Sequence, residues 1–217
     1  KASSIRNSGT RIEAQGVERT LLILERTDVA LFVLDVKKGI TSQDKHLAGI
    51  LADAGVSIVI VLNKWDLVEN KTTTTVNEVE RYIRGLLPQL KYAPVVFTSA
   101  LTGQRANTLF ASIDSTFQSR FTQLTDAETK AFISRAITKH RPSRGKGVKH
   151  PRIIKFVQSG VNPPTFLLAV NLSRKDSLAD SYLRFLENLL RDQYLFTGTP
   201  IRMRVAASRK SHTTYGD

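Results

Sequence analysis

From Ile58 to Leu62 five consecutive residues are aliphatic, inside the stretch Val56–Asp66 (VSIVIVLNKWD). A strand exposed on one face alternates apolar and polar residues. An unbroken β-branched run instead suits a strand covered on both faces, as in a parallel sheet. The run stops at Asn63-Lys64-Trp65-Asp66. Ligands of open parallel sheets sit beyond the carboxyl ends of the strands. Chemistry is therefore expected in this loop.

The flanking sequence supplies the rest of an α/β layer. Asp28–Asp35 (DVALFVLD) reads as a second buried strand, turning at Asp35 and Gly39. Thr41 or Ser42 can cap a helix over Gln43–Ala54, which Gly55 ends. Strand, helix and strand with short connections form a βαβ unit. Upstream, Val17–Arg26 reads as the end of an amphipathic helix. Downstream, Val68–Thr75 reads as a polar loop and Val76–Leu87 as a helix ended by Pro88. A strand Val95–Thr98 follows, then a helix from Arg105 to Phe117 with Leu109, Phe110, Ile113 and Phe117 turned inward. Ser119–Thr125 is a polar linker candidate.

The loop residues suit a purine. An ionised Asp66 only accepts, and it can take two parallel N–H bonds. Guanine offers such a pair on N1 and N2, and adenine does not. Asn63 brings a donor and an acceptor, and the Lys64 stem can lie along a base face. A polar turn whose aspartate caps the next helix is an equally good reading of this loop taken alone. A second loop adds weight: Ser99-Ala100-Leu101-Thr102-Gly103 closes the next strand with small residues whose backbone N–H groups can approach a bound ring.

The chain divides by charge. It carries +13 overall. Residues 1–119 hold 14 Lys/Arg against 12 Asp/Glu, and residues 120–217 hold 18 against 7. The second part thus has most of the excess and points to a polyanion, in preference to a merely solvated basic face. It reads as a helix Asp126–Lys139 (apolar stripe Ala131, Phe132, Ile133, Ala136, Ile137), strands Arg152–Ser159 and Thr165–Asn171, a helix Ser177–Tyr194 and a strand Ile201–Val205. Between the first helix and strand lies the basic, Gly- and Pro-rich Arg141–His150. Arg141, Arg144, Lys146, Lys149 and Arg152 are the candidate phosphate contacts, with a solvated surface loop as the plain alternative. There is no cysteine, the four histidines lack metal-ligand spacing, and no apolar run reaches membrane-spanning length.

Asn63–Leu67 and Ser99–Gln104 (SALTGQ) together resemble the base-recognition elements of translation-factor-type GTPases. With Glu25–Val29, Asp35, Gly39–Thr41, Gln43-Asp44, Tyr92–Pro94, Pro163–Phe166, Tyr182–Asn188 and Gly198–Arg202, the match resembles the EngA/Der double-GTPase family of ribosome-assembly factors. It runs over roughly residues 15–204. The resemblance implies a partial P-loop GTPase (α/β, a parallel sheet flanked by helices) over 1–119, followed by a small α+β KH-like domain over 120–217 that contacts RNA. It implies that Asn63, Lys64 and Asp66 select guanine and that Ser99, Ala100 and Leu101 close over the base. The implied ligands are GTP or GDP, with Mg2+ held by an upstream segment. The implied partner is the large ribosomal subunit precursor and its rRNA, in a bacterial cytoplasm, a mitochondrial matrix or a plastid stroma.

One part of the family pattern is missing. No G-x-x-x-x-G-K-[ST] occurs, nor the Asp-x-x-Gly that binds magnesium. Lys1–Gln15, with Ala2–Arg6 (ASSIR), sits where that switch region ends, so the resemblance places the phosphate loop upstream. No residue of the chain is a candidate for hydrolysis. The alternative is a non-enzymatic rRNA-binding module with a truncated or degenerate nucleotide site.

Overall fold

The computed structural model describes residues 22–69, 71–142, 151–171 and 178–207. The chain divides into two compact units. The first comprises residues 1–119 with 197–200, and the second 120–196 with 201–217.

In the first unit β1 (Val29–Asp35), β2 (Ser57–Asn63) and β3 (Val95–Phe97) form a parallel sheet in the order β1-β2-β3. Every residue of β2 from Ser57 to Leu62 is buried, as its unbroken aliphatic run requires. Burying each such side chain stabilises the fold by roughly 1.5–3 kcal/mol. One face of β2 joins Phe32, Leu34, Ala48, Leu51 and Ile83 in the main core. Val59 and Val61 on the other face meet Val96 and Leu109. Helix α1 (Ser42–Ala54) starts at Thr41, whose hydroxyl accepts from Asp44 N–H at 3.2 Å while Asp44 accepts from Thr41 N–H at 2.8 Å. This reciprocal cap satisfies two orphan donors. Gly55, at φ 71°, ends the helix in the left-handed region.

Several sequence expectations are adjusted. Helix α2 spans Thr73–Leu86, three residues earlier than the apolar stripe suggests, because Thr72 and Thr75 cap one another. Helix α3 runs over Ala106–Ser119, and Phe110 is 64% exposed rather than inward. The buried residues of α3 are Thr116 and Ser119, one turn apart. Ahead of β1, residues 22–24 are helical; the rest of the expected upstream helix lies outside the described residues.

Residues 197–200 complete the first unit at the amino ends of its strands. Gly198 N–H donates to Tyr92 O at 3.0 Å, and its carbonyl accepts from Ile58 N–H at 2.8 Å. The Ser57 and Thr199 hydroxyls meet at 3.0 Å, and Thr199 also reaches Thr116 O at 3.2 Å. The segment thereby adds hydrogen-bond partners for buried polar groups at these strand ends.

The second unit is α-β-β-α-β: α4 (Asp126–Lys139), β4 (Ile153–Gly160), β5 (Thr165–Val170), α5 (Asp180–Gln193) and β6 (Arg202–Ala207). Its sheet has the order β4-β5-β6, with β4–β5 antiparallel and β5–β6 parallel. Phe132 and Ala136 of α4 and Tyr182, Leu186 and Leu190 of α5 pack with Phe156, Phe166 and Leu168 of the sheet. Ala131, assigned to the stripe from sequence, is exposed. Tyr182 is buried, and its hydroxyl donates to His140 O at 3.1 Å. Burial pushes its phenol up to about 12.

The segment expected as a linker is tied down within this unit. Arg120 Nε donates to Asn162 Oδ1 at 2.7 Å, Leu124 N–H to Gln158 Oε1 at 2.8 Å, and the Thr122 hydroxyl to Leu195 O at 3.1 Å. Its polar composition serves these bonds as well as solvent.

Candidate nucleotide-base site

The two candidate loops leave neighbouring strands. Asn63 ends β2, and Ser99 follows β3 by two residues. Parallel pairing of Leu62 with Phe97 brings both ends to one edge. Trp65, within a loop that reads as polar, is 1% exposed. Its ring meets Phe97 edge-on at 4.5 Å, and its backbone N–H donates to Thr98 O at 2.9 Å. A buried indole therefore anchors the Asn-Lys-Trp-Asp loop to β3. The single aromatic residue among the polar residues of the motif is the available signal for this anchor.

The polar residues are arranged around that anchor. Ala100 N–H donates to Asn63 Oδ1 at 2.9 Å. This bond occupies the acceptor of the Asn63 amide and leaves its NH2 donors to point elsewhere. Lys64 adopts φ 64°, ψ 32°, in the left-handed region that a side chain rarely occupies. Its Nζ lies 2.7 Å from Asp35 Oδ2 at the end of β1. The lysine hydrogen bond holds the Asp35 carboxyl below its ordinary 3.8, helped by the N–H groups of Lys37 and Lys38. The same contact raises Lys64 above its ordinary 10.5. Three strand ends thus contribute to one cluster.

Asp66 stands apart from this satisfied network. Its Oδ1 is buried and has no hydrogen-bond partner among the described residues. A buried carboxylate oxygen left unpaired costs on the order of 1–3 kcal/mol or more, which a ligand with N–H donors would recover. That chemistry fits guanine. Ser99 is buried at 2% exposed; its hydroxyl accepts from Thr102 N–H at 3.2 Å and its own N–H donates to Gln104 O at 3.2 Å. These bonds close the Ser99–Gln104 loop. Leu101 is 88% exposed at the crown of the loop. The structure brings Asn63 and Ala100 into direct contact and gives Leu101 no packed position.

No group of three or more His, Asp or Glu side chains that could hold a metal occurs among the described residues. No helix among them is long and apolar enough to cross a membrane. Of the candidate phosphate contacts, Arg141 and Arg152 are exposed. Arg152 N–H donates to Asn171 Oδ1 at 2.8 Å, which holds its backbone beside the β4–β5 hairpin. Arg144, Lys146 and Lys149 lie outside the described residues.

Comparison with known proteins follows this division. A family profile described as the elongation factor Tu GTP binding domain matches residues 15–119. A second, described as the KH-domain-like region of EngA bacterial GTPase enzymes, C-terminal, matches residues 123–205. Curated relatives named GTPase Der include those of Alkaliphilus oremlandii (39% identical over 88% of this chain and 42% of the relative) and Synechococcus sp. (38%, over 89% and 42%). The GTPase Der of Pelotomaculum thermopropionicum is 41% identical over 88% of this chain and 42% of its own. The chain spans about two-fifths of the length of these relatives. A solved structure of Era in complex with MgGDPNP and a 16S ribosomal RNA segment aligns over 88% of this chain and 68% of that one, at TM-score 0.40 and 17% identity, too loosely to bear on function. The GTP-binding profile and the EngA KH-like profile follow one another along the chain, and over both parts it matches the EngA/Der GTPase family.

Proposed function

We propose that these residues are the base-recognising and RNA-contacting part of a GTP-dependent factor for assembly of the large ribosomal subunit. The observation that carries the reading is the buried, unpartnered Oδ1 of Asp66 beside an Asn63 amide already oriented by Ala100. In this reading the Asp66 carboxylate takes the N1 and N2 protons of guanine. The Asn63 NH2 donates to the acceptor edge of the purine. The Lys64 stem and the Ser99-Ala100-Leu101 loop flank the ring. GTP binding and hydrolysis by the whole protein need a phosphate loop and Mg2+, and no hydrolytic step is assigned to this chain. Occupancy of this site by a guanine nucleotide would serve as the switch for the RNA-contacting second unit.

Base recognition without the phosphates is weak, so a site-resolved probe is the right test. Amide proton–nitrogen correlation spectra of the polypeptide are recorded with GDP and with ADP. GDP is expected to shift the Ala100 and Asp66 amides, and ADP to leave them in place. Equal shifts with both nucleotides would overturn the guanine assignment. The RNA half of the reading requires salt-dependent binding of RNA by the same chain.

A further inference from the structure

The sheet of the second unit has one covered face and one open face. Strand register assigns each residue to a face, because directly paired residues project the same way. Phe156, Leu168 and Val205 form one cross-strand row, and Phe166 pairs with Met203 beside it. These side chains belong to the core beneath α4 and α5. The opposite face carries the rows Lys155–Ala169–Ala206 and Val157–Leu167–Arg204, with Thr165 beside Arg202. Lys155, Arg202 and Arg204 are exposed.

Charge is segregated between the two sides. The three strands contain Lys155, Arg202 and Arg204 and no Asp or Glu. Every acidic residue described in this unit (Asp126, Glu128, Asp180, Glu187, Asp192) lies on α4 or α5, the helices packed on the other face. The open face is therefore a low strip of Val157, Leu167, Ala169 and Thr165 with cations on both edge strands. Adjacent strands lie about 4.8 Å apart, so the two cationic edges are roughly 10 Å apart. No aromatic residue of the three strands projects from this face. It can take a phosphodiester backbone between its edges, but its strands offer no ring on which bases could stack.

Resting on the RNA-contacting reading above, we propose that this open face of β4-β5-β6 is the surface that holds a single RNA strand. Lys155 pairs with phosphates along one edge and Arg204 along the other. Lys155, Arg202 and Arg204 sit on paired strands, so the register fixes the spacing of their backbones. Such a surface binds with steep salt dependence and little sequence preference.

The test measures the affinity of the full chain for a fluorescein-labelled single-stranded RNA of mixed sequence by anisotropy across a salt series. The variant is Lys155→Glu with Arg204→Glu. A charge-matched control carries Lys130→Glu with Lys139→Glu on α4. Both sheet residues are exposed, and the milder Lys155→Gln/Arg204→Gln pair guards against misfolding. We expect the sheet variant to lose affinity by roughly tenfold or more and the log–log salt slope of the Gln pair to fall by about 1.4, roughly 0.7 per phosphate contact removed from a single strand. The control should change little. Equal losses in sheet and control variants would overturn the placement on the sheet while leaving RNA binding intact. Absence of RNA binding by the unaltered chain, or binding only to anionic lipid vesicles, would overturn both this proposal and the RNA reading beneath it.

Discussion

The Ala100 N–H and Asn63 Oδ1, 37 positions apart in sequence, are joined by a 2.9 Å hydrogen bond. One end of the bond comes from the loop after β2 and the other from the loop after β3. The Asn63 side chain therefore has two separable duties, holding the neighbouring loop and presenting a donor. Asn63→Asp keeps an acceptor for Ala100 N–H but loses the NH2 group. Asn63→Ala loses both. Thermal unfolding is expected to report about 1 kcal/mol of destabilisation for the alanine variant and less for the aspartate variant. Both should bind GDP more weakly. Equal destabilisation by the two substitutions would show that the inter-loop bond contributes nothing.

The Lys64–Asp35 pair gives a pH window. The pair lowers Asp35 and raises Lys64. A lowered carboxyl contributes stability above its ordinary 3.8 that is lost as pH falls through the folded-state value. A raised lysine contributes stability below its ordinary 10.5 that is lost as pH rises through its own raised value. The contact is therefore constant across the neutral range and fails only at the acid and alkaline extremes. Lys64→Gly tests its backbone separately, since glycine occupies φ 64° without strain. That variant should keep its fold and lose nucleotide binding; a large drop in melting temperature would mean that the ion pair is structural.

Gly198 has no room for a side chain. A Cβ built there would lie 2.6 Å from the Thr116 side chain and 2.9 Å from Ile58 O, at φ 65°. Left-handed strain of roughly 1–2 kcal/mol and overpacking of roughly 1–3 kcal/mol combine at this position. Gly198→Ala should therefore destabilise the first unit by about 2–5 kcal/mol in denaturant unfolding. Adding Thr116→Ala should restore part of the loss, because the nearest atoms belong to that threonine. A double variant no better than the single one would locate the cost in the backbone alone.

The start of α4 is held by a reciprocal cap. Thr125 Oγ1 accepts from Glu128 N–H at 3.2 Å, and Glu128 Oε2 accepts from Thr125 N–H at 2.7 Å. Backbone and hydroxyl bonds from Thr125 lower the Glu128 carboxyl below its ordinary 4.5. Its contribution is present above that value and disappears as pH falls through the lowered one. Thr125→Ala should cost about 1 kcal/mol at neutral pH. The difference between variant and parent should shrink in acid; a difference independent of pH would dissociate Glu128 from the cap.

The regular elements were legible because their signals are local. The aliphatic run of β2, the Thr and Gly bounding α1, and the apolar stripe and charged ends of α4 each specify their own structure. What sequence could not supply was long-range. Phe110 looks like a core residue by helical spacing, yet it is exposed because α3 presents the small residues Thr116 and Ser119 where the chain approaches closely. Thr197–Pro200 gives no sign that it closes the amino ends of strands more than a hundred residues upstream. At the candidate site the residue types were readable from the motifs. The burial of Trp65, the left-handed turn at Lys64 and its reach to Asp35 depend on which strands are neighbours.

The measurement that bears most directly on the site is the nucleotide preference of Asp66→Asn. Its buried Oδ1 has no hydrogen-bond partner among the described residues, which is the observation on which the proposed guanine contact rests. An aspartate accepts from the exocyclic amine of guanine, whereas an asparagine can donate to the oxygen that xanthine carries in its place. Competition binding of GDP and XDP should invert in favour of XDP in the variant, with the unaltered chain favouring GDP. Unchanged GDP preference in Asp66→Asn would contradict the assignment of this loop to guanine.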